Sequence, residues 1–211
     1  KSTISWIEEV PSHWEIRKLK EKILHSNSGE VINRNYWGGN HSLLYTCAKK
    51  PFLCDFKSFP NNKRTGIGDL LLSRNGTPYV HKPPIGSIYS NVVQRIQLSD
   101  PKERDYLALA LQSSMDNINS QGVSIDSINL ELWEQLSLPI PPLNEQIIIY
   151  RYLKEKVNQL TRLIDKKARY LDLLREKRLS NIHDLITKGL SSSNTMKQSG
   201  FRWFGKIPSD W

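Results

Sequence analysis

From Glu145 to Lys188 the chain runs without a proline or a glycine, and no other feature limits its fold so strictly. Ahead of this run, Pro139, Pro141 and Pro142 in LPIPPLNEQ (138–146) forbid a helix and hold the backbone extended. Asn144 is the expected N-cap, with Glu145 beside the positive end of the helix dipole. Leu143 and Ile148 occupy the two positions of a hydrophobic staple. At the far end Gly189 supplies a left-handed residue, and Leu190 is placed to contact Leu185 in a Schellman-type ending. These signals predict one helix of about 45 residues, ~70 Å long at about 1.5 Å per residue.

No globular core of a 211-residue chain covers such a helix on its own. Leu153, Val157, Leu160, Ile164, Leu171, Leu174 and Leu185 follow the four–three alternation of a coiled-coil seam, interrupted by Lys167, Arg178 and Asn181. The stripe calls for a partner helix, and the sequence holds no second one of matching length. The expected answer is a homodimer through this element. Between residues 144 and 189, eleven basic residues oppose six acidic ones. A solvated face explains part of that excess. The rest would follow phosphates or meet an acidic protein surface.

Upstream, the pattern changes. SLLYT (42–46), DLLLSR (69–74) and SIYSNVVQRIQL (87–98) read as strands, the last with Val92, Gln94, Ile96 and Leu98 on one face and Val93, Arg95 and Gln97 on the other. DYLALALQSSMDNI (105–118) reads as an amphipathic helix and INLELWEQL (128–136) as a shorter one. Gly38-Gly39, Pro60-Asn61-Asn62, Asn75-Gly76 and Pro83-Pro84 read as turns between them. The fold class is therefore α+β: a compact mixed domain over 1–140, a proline-led long helix over 141–190, a polar linker over 191–200, and a final segment over 201–211.

That final segment repeats the opening one. ISWIEEVPSHW and GFRWFGKIPSDW align Trp6 with Trp203, Pro11 with Pro208, Ser12 with Ser209 and Trp14 with Trp211, a period of 197 residues. Such a period is too long for a solenoid and fits a duplicated two-part module.

A net charge of +9 points to a polyanionic partner, nucleic acid being the commonest. No apolar run approaches the roughly 20 residues that cross a bilayer. Cys47 and Cys54 lack zinc-knuckle spacing and read as reduced structural thiols, so a cytoplasmic location is expected.

In this order, WIEEVPSHWEIRKLKEKI, GIGDLLLSRNGT, INLELWEQLSLPIPPLNEQ and LIDKKARYLDLLREKRLSNIHDLITKGL resemble the specificity subunit of type I restriction–modification enzymes. The resemblance implies two target-recognition domains, each reading half of a split double-stranded DNA target. It also implies two long antiparallel helices that space the domains and dock methyltransferase subunits, with a restriction subunit as a further possible partner. On that reading residues 201–211 open a second recognition domain, and the chain corresponds to half of a subunit. No cofactor is expected on this chain, since S-adenosylmethionine would be bound by the methyltransferase.

The residues carry no enzyme of their own. IPPL (140–143) lacks the amide and the aromatic of an adenine methyltransferase motif, and GIGDLL (66–71) runs into a strand rather than a helix N-terminus. Asp55-Phe56-Lys57 is similar to a fragment of a nuclease metal site but has no second carboxylate at useful spacing. No catalytic or metal-ligating set is expected.

Base contacts in the major groove need Arg, Asn, Gln or Lys at turn tips, and phosphate contacts need Lys or Arg. Four stretches qualify. INRNYWGGNH (32–41) offers Arg34 and Asn35, with Tyr36 and Trp37 to stack or wedge. NNKRTG (61–66) offers Lys63 and Arg64. SRNGTPYVHK (73–82) offers Arg74, Asn75, Thr77 and Lys82, and NSQGVS (119–124) offers Gln121. Arg34 and Arg74 are expected to read bases; Lys63 and Lys82 are expected to hold phosphates. The rival reading is a scaffold or antagonist that pairs with methyltransferase, or with a full specificity subunit, and never reads DNA.

Overall fold

The computed structural model describes Ile7 and residues 9–75, 78–120, 130–190, 195–202 and 205–211. The chain divides into two compact units, Lys1–Tyr152 and Leu153–Trp211. In sequence order the first contains β1 (Glu15–Lys18), β2 (Ile23–Ser28), β3 (Trp37–Tyr45), β4 (Phe52–Cys54), β5 (Leu70–Ser73), β6 (Val80–His81), β7 (Ile88–Tyr89) and β8 (Val93–Leu98). Helices α1 (Arg104–Ser120) and α2 (Leu130–Gln135), strand β9 (Ser137–Ile140) and the start of helix α3 (Leu143–Lys188) follow.

A four-stranded antiparallel sheet in the order β2-β8-β5-β6 separates two cores. Successive strand residues point to opposite faces. Leu70, Leu72, Ile96 and Leu98 therefore meet Leu107, Leu111 and Met115 of α1 and Trp133 of α2 on one side. Leu71 and Val93 meet Leu44, Cys54, Phe59, Ile88 and Tyr89 on the other. The second core is closed by a three-stranded sheet, β4-β3-β7. Trp133 is fully buried, and its indole N–H donates to the Ser73 carbonyl at 3.0 Å.

The long strand expected over 87–98 is two strands. At Ser90–Val92 the chain leaves β7, which runs parallel to β3, and enters β8 in the other sheet. The corner is held by Val93 N–H to Ser90 O (3.0 Å) and Asn91 N–H to Glu30 O (2.9 Å). The corner breaks the expected alternation: Val92, expected on the face of Ile96 and Leu98, packs with Val93 on the second core, and the alternation holds only from Val93 onward. The central position of β8 also buries both its faces, so Gln94 and Arg95 lie inside with Ile96. Gly38-Gly39, expected as a turn between elements, lies within β3.

β9 pairs antiparallel with β1, placing Pro139 opposite Ile16. α3 then starts at Leu143, with Pro142 O accepting the N–H groups of Glu145 (2.9 Å) and Gln146 (3.0 Å). Asn144 is thus inside the first turn and not the cap. The anchor is Gln146, which is buried and donates to Pro141 O (2.9 Å) and Glu103 Oε1 (3.1 Å). Ile148 is exposed, and Ile149 is the residue that packs on the core, so no staple of Leu143 with Ile148 forms. At its other end Gly189 has φ +75° and donates to Leu185 O at 3.1 Å. That single bond is the simpler αL ending, and Leu190 is 94% exposed instead of covering Leu185.

In the second unit, β10 (Met196–Gln198) and β11 (Lys206–Pro208) form an antiparallel pair, so the stretch expected as a polar linker over 191–200 contains a strand. The sequence repeat has a structural counterpart. Trp14 N–H donates to Pro11 O at 3.0 Å, and Trp211 N–H donates to Pro208 O at 3.2 Å, one turn made twice. Trp6 and Trp203 lie outside the described residues. Among the described residues no helix is long and apolar enough to cross a membrane.

Candidate nucleic-acid interface

The loops singled out in the sequence reach different fates. Arg34 and Asn35 belong to a 3-10 turn, Arg34–Tyr36, capped by Asn33, whose Oδ1 accepts the Asn35 N–H at 3.0 Å. Both side chains are exposed. The Arg34 guanidinium stands 5.8 Å from the centroid of Trp37, whose ring stacks on Phe52 at 4.9 Å. The arginine thus lies against an aromatic pair while remaining exposed.

Lys63 and Arg64 are engaged inside the chain. Lys63 Nζ pairs with Glu30 Oε1 at 2.5 Å. Arg64 Nη1 donates to Gly86 O (2.9 Å) and Ser42 Oγ (3.3 Å), with its guanidinium over Phe59. Lys82 is likewise committed, to Asp105 Oδ1 at 3.0 Å and the Tyr150 hydroxyl at 2.8 Å. Burial opposes its charge, but the Tyr150 and Asp105 hydrogen bonds outweigh that and hold its pKa above the usual lysine value. Arg74 is half-buried, its backbone N–H donating to Val92 O at 2.9 Å, and Asn75 is exposed. Thr77 and Gln121 lie outside the described residues.

Two exposed residues of the first stretch were not singled out by residue type, and Asp55 was weighed only as a fragment of a metal site. Asn40 and His41, at the end of the first stretch, are exposed, and their N–H groups donate to Asp55 Oδ1 at 3.0 and 3.2 Å. Asp55 is thus a cap for backbone amides. Among the described residues no group of three or more His, Cys, Asp or Glu is gathered to hold a metal ion. The signal that could have located this cap was the Gly-Gly-Asn-His sequence facing an isolated acid. Cys47 and Cys54 are free thiols, Cys54 buried.

Where the opening turn meets α3, Glu145 accepts the Trp14 indole N–H at 2.9 Å and bonds His13 Nε2 at 2.8 Å. The Trp14 bond, then the His13 bond, hold the Glu145 pKa below its ordinary value. On the later part of α3 the expected seam is open to water, from Leu153 at 39% exposure to Ile164 at 66%, with Val157, Leu160, Leu171, Leu174 and Leu185 between.

A family model, "Type I restriction modification DNA specificity domain", matches residues 11–170. Two relatives come from Methanocaldococcus jannaschii. The putative type I restriction enzyme MjaX specificity subunit is 25% identical over 228 residues, covering 97% of this chain and 52% of that protein. The type I restriction enzyme MjaVIII specificity subunit is 27% identical over 147 residues, covering 70% of this chain and 31% of that protein. The chain thus spans about half the length of the first relative and about a third of the second. The fold is shared with the type I restriction–modification S subunit from M. genitalium: TM-score 0.54, 18% identity, 86% of this chain and 47% of that one. It is also shared with a chain of a type I restriction–modification complex: TM-score 0.60, 20% identity, 81% of this chain and 44% of that one.

Proposed function

The chain belongs to the type I restriction–modification DNA specificity family, and from that premise we propose that its first unit reads one half of a bipartite DNA target. The chain recognises and does not catalyse; methyl transfer, with S-adenosylmethionine, falls to methyltransferase subunits docked beside it, and a restriction subunit completes the assembly where cleavage occurs. The observation that carries the spacing role is the water-exposed stripe from Leu153 to Leu185 on a 46-residue helix. Exposed apolar patches of this extent mark an interaction surface. Its occupant is a second helix of the same kind, antiparallel. In a preparation of this chain alone, a second copy supplies it.

A two-fold dimer repeats each half-site reader in inverted orientation. Assembled with its methyltransferase subunits, the chain is expected to methylate a split palindrome, two inverted copies of one half-site around a fixed spacer. Sequencing of methylated adenines reads this out. An asymmetric bipartite motif rejects the dimer, and absence of any motif supports a scaffold that never reads DNA. Leu160→Asp combined with Leu171→Asp should give a monomer in sedimentation; a concentration-independent monomer mass for the unaltered chain would sink the helix pairing.

A further inference from the structure

β3 and β4 form an antiparallel pair, yet Trp37 and Ser42 both lie opposite Cys54. Gly38, Gly39, Asn40 and His41 therefore make a four-residue excursion with no β4 residue across from them. The excursion is held by Asp55, immediately after β4, whose Oδ1 accepts both the Asn40 and His41 N–H groups. Two glycines make this approach possible. A Cβ on Gly39 would stand 2.0 Å from Asp55 Cγ, and Gly38 has φ +97°. The Asp55 N–H also donates to Tyr36 O at 2.9 Å, so one residue ties the excursion to the Arg34–Tyr36 turn.

Strand pairing alone needs none of this, since a direct passage from Trp37 to Ser42 would leave an unbroken ladder. The excursion instead leaves Asn40 and His41 exposed, on a loop that Asp55 ties to the turn carrying exposed Arg34 and Asn35. Bulges of this kind re-aim side chains at functional edges. Asn matches the donor–acceptor edge of adenine, and imidazole offers one donor and one acceptor. The Asp55 charge, which would otherwise repel a phosphate, is directed at two amides.

We propose that the Gly38–His41 excursion is a base-reading element, in which Asn40 and His41 contact base edges beside Arg34 and Asp55 is the positioning residue that sets their pose. The inference rests on the DNA-reading function above, and one experiment separates the two. The chain, assembled with its methyltransferase subunits, selects from duplexes carrying a randomised half-site, and the bound pool is sequenced. If the unaltered protein selects no sequence, DNA reading itself fails and this assignment falls with it. Given selection, Asn40→Ala and His41→Ala should each lose about 5- to 150-fold of the preference at one or two adjacent base pairs. Affinity for a scrambled duplex and its salt dependence should stay unchanged. Asp55→Ala should erase preference at those same pairs, while Asp55→Asn, which retains Oδ1 as an acceptor, should restore it. Both exposed-residue variants leave the cap intact, so they decide the matter even if Asp55→Ala fails to fold. Retention of the full preference by Asn40→Ala and His41→Ala, or a uniform loss on every duplex, overturns the assignment.

Discussion

Replacing Arg95 with methionine is expected to unfold the sheet domain far more readily than any change at the exposed loops. Arg95 is 8% exposed, on the central strand β8. Its Nε donates to Asp69 Oδ2 at 2.6 Å and its Nη1 to Asn62 O at 3.3 Å. Asp69 is fully buried; Oδ2 also accepts the Gly66 N–H at 2.5 Å, and Oδ1 has no hydrogen-bond partner among the described residues. Methionine fills the space of the arginine stem but strands a carboxylate with a single donor in a low-dielectric site. Breaking one side of a buried pair costs roughly 3–5 kcal/mol. At about 2–4 °C per kcal/mol for a domain near this size, the thermal midpoint should fall by about 6–20 °C. Asp69→Asn combined with Arg95→Met removes the stranded charge and keeps an acceptor for Gly66, so the double variant should recover at least about 2 kcal/mol. Urea denaturation of the unaltered protein, Arg95→Met, Asp69→Asn and the double variant, followed by tryptophan fluorescence, yields the coupling directly. A cost below about 1 kcal/mol for Arg95→Met, or a double variant no more stable than the single, would refute the reasoning.

Burial drives the His81 pKa down to about 4, against a weaker opposing bond from the Thr46 backbone. The unfolded ring protonates near 6.5, so the stability present above that pH should drain away by about 3 kcal/mol as the pH falls towards 4. Stability curves for His81→Phe should be flatter across that window; an unchanged slope rejects the assignment. Arg34→Ala should relax choice at one base pair at a cost of roughly 1–3 kcal/mol. Lys63→Ala, by contrast, should weaken the fold around Glu30 and leave the salt dependence of DNA binding alone; a salt slope lowered by about 1 would instead make Lys63 a phosphate clamp. Glu145→Ala removes the acceptor of the Trp14 indole, so exchange of that indole proton should accelerate in NMR spectra. Unaltered exchange would mean that the opening turn is held elsewhere.

The long helix was legible because its determinants are local. A hydrogen bond from each residue to the fourth before it, prolines ahead and a glycine behind are all written within a few positions of one another. Even so, the cap moved from Asn144 to the Pro142 carbonyl, because Gln146 and Glu145 are drawn to partners that only the folded domain supplies, Glu103 and Trp14. The repeat of Pro-Ser-x-Trp was likewise visible in one dimension, and the same turn closes in both copies. The fates of the cations were not. Lys63 meets Glu30 across 33 positions, and Lys82 meets Tyr150 across 68. Charge and loop composition specify a donor without specifying whether an acceptor of the same chain arrives beside it. The same holds for β8, whose alternation described two faces correctly but could not say that both are covered. Periodicity is a property of the strand; burial is a property of its neighbours, and tertiary structure alone decides where those neighbours come to rest.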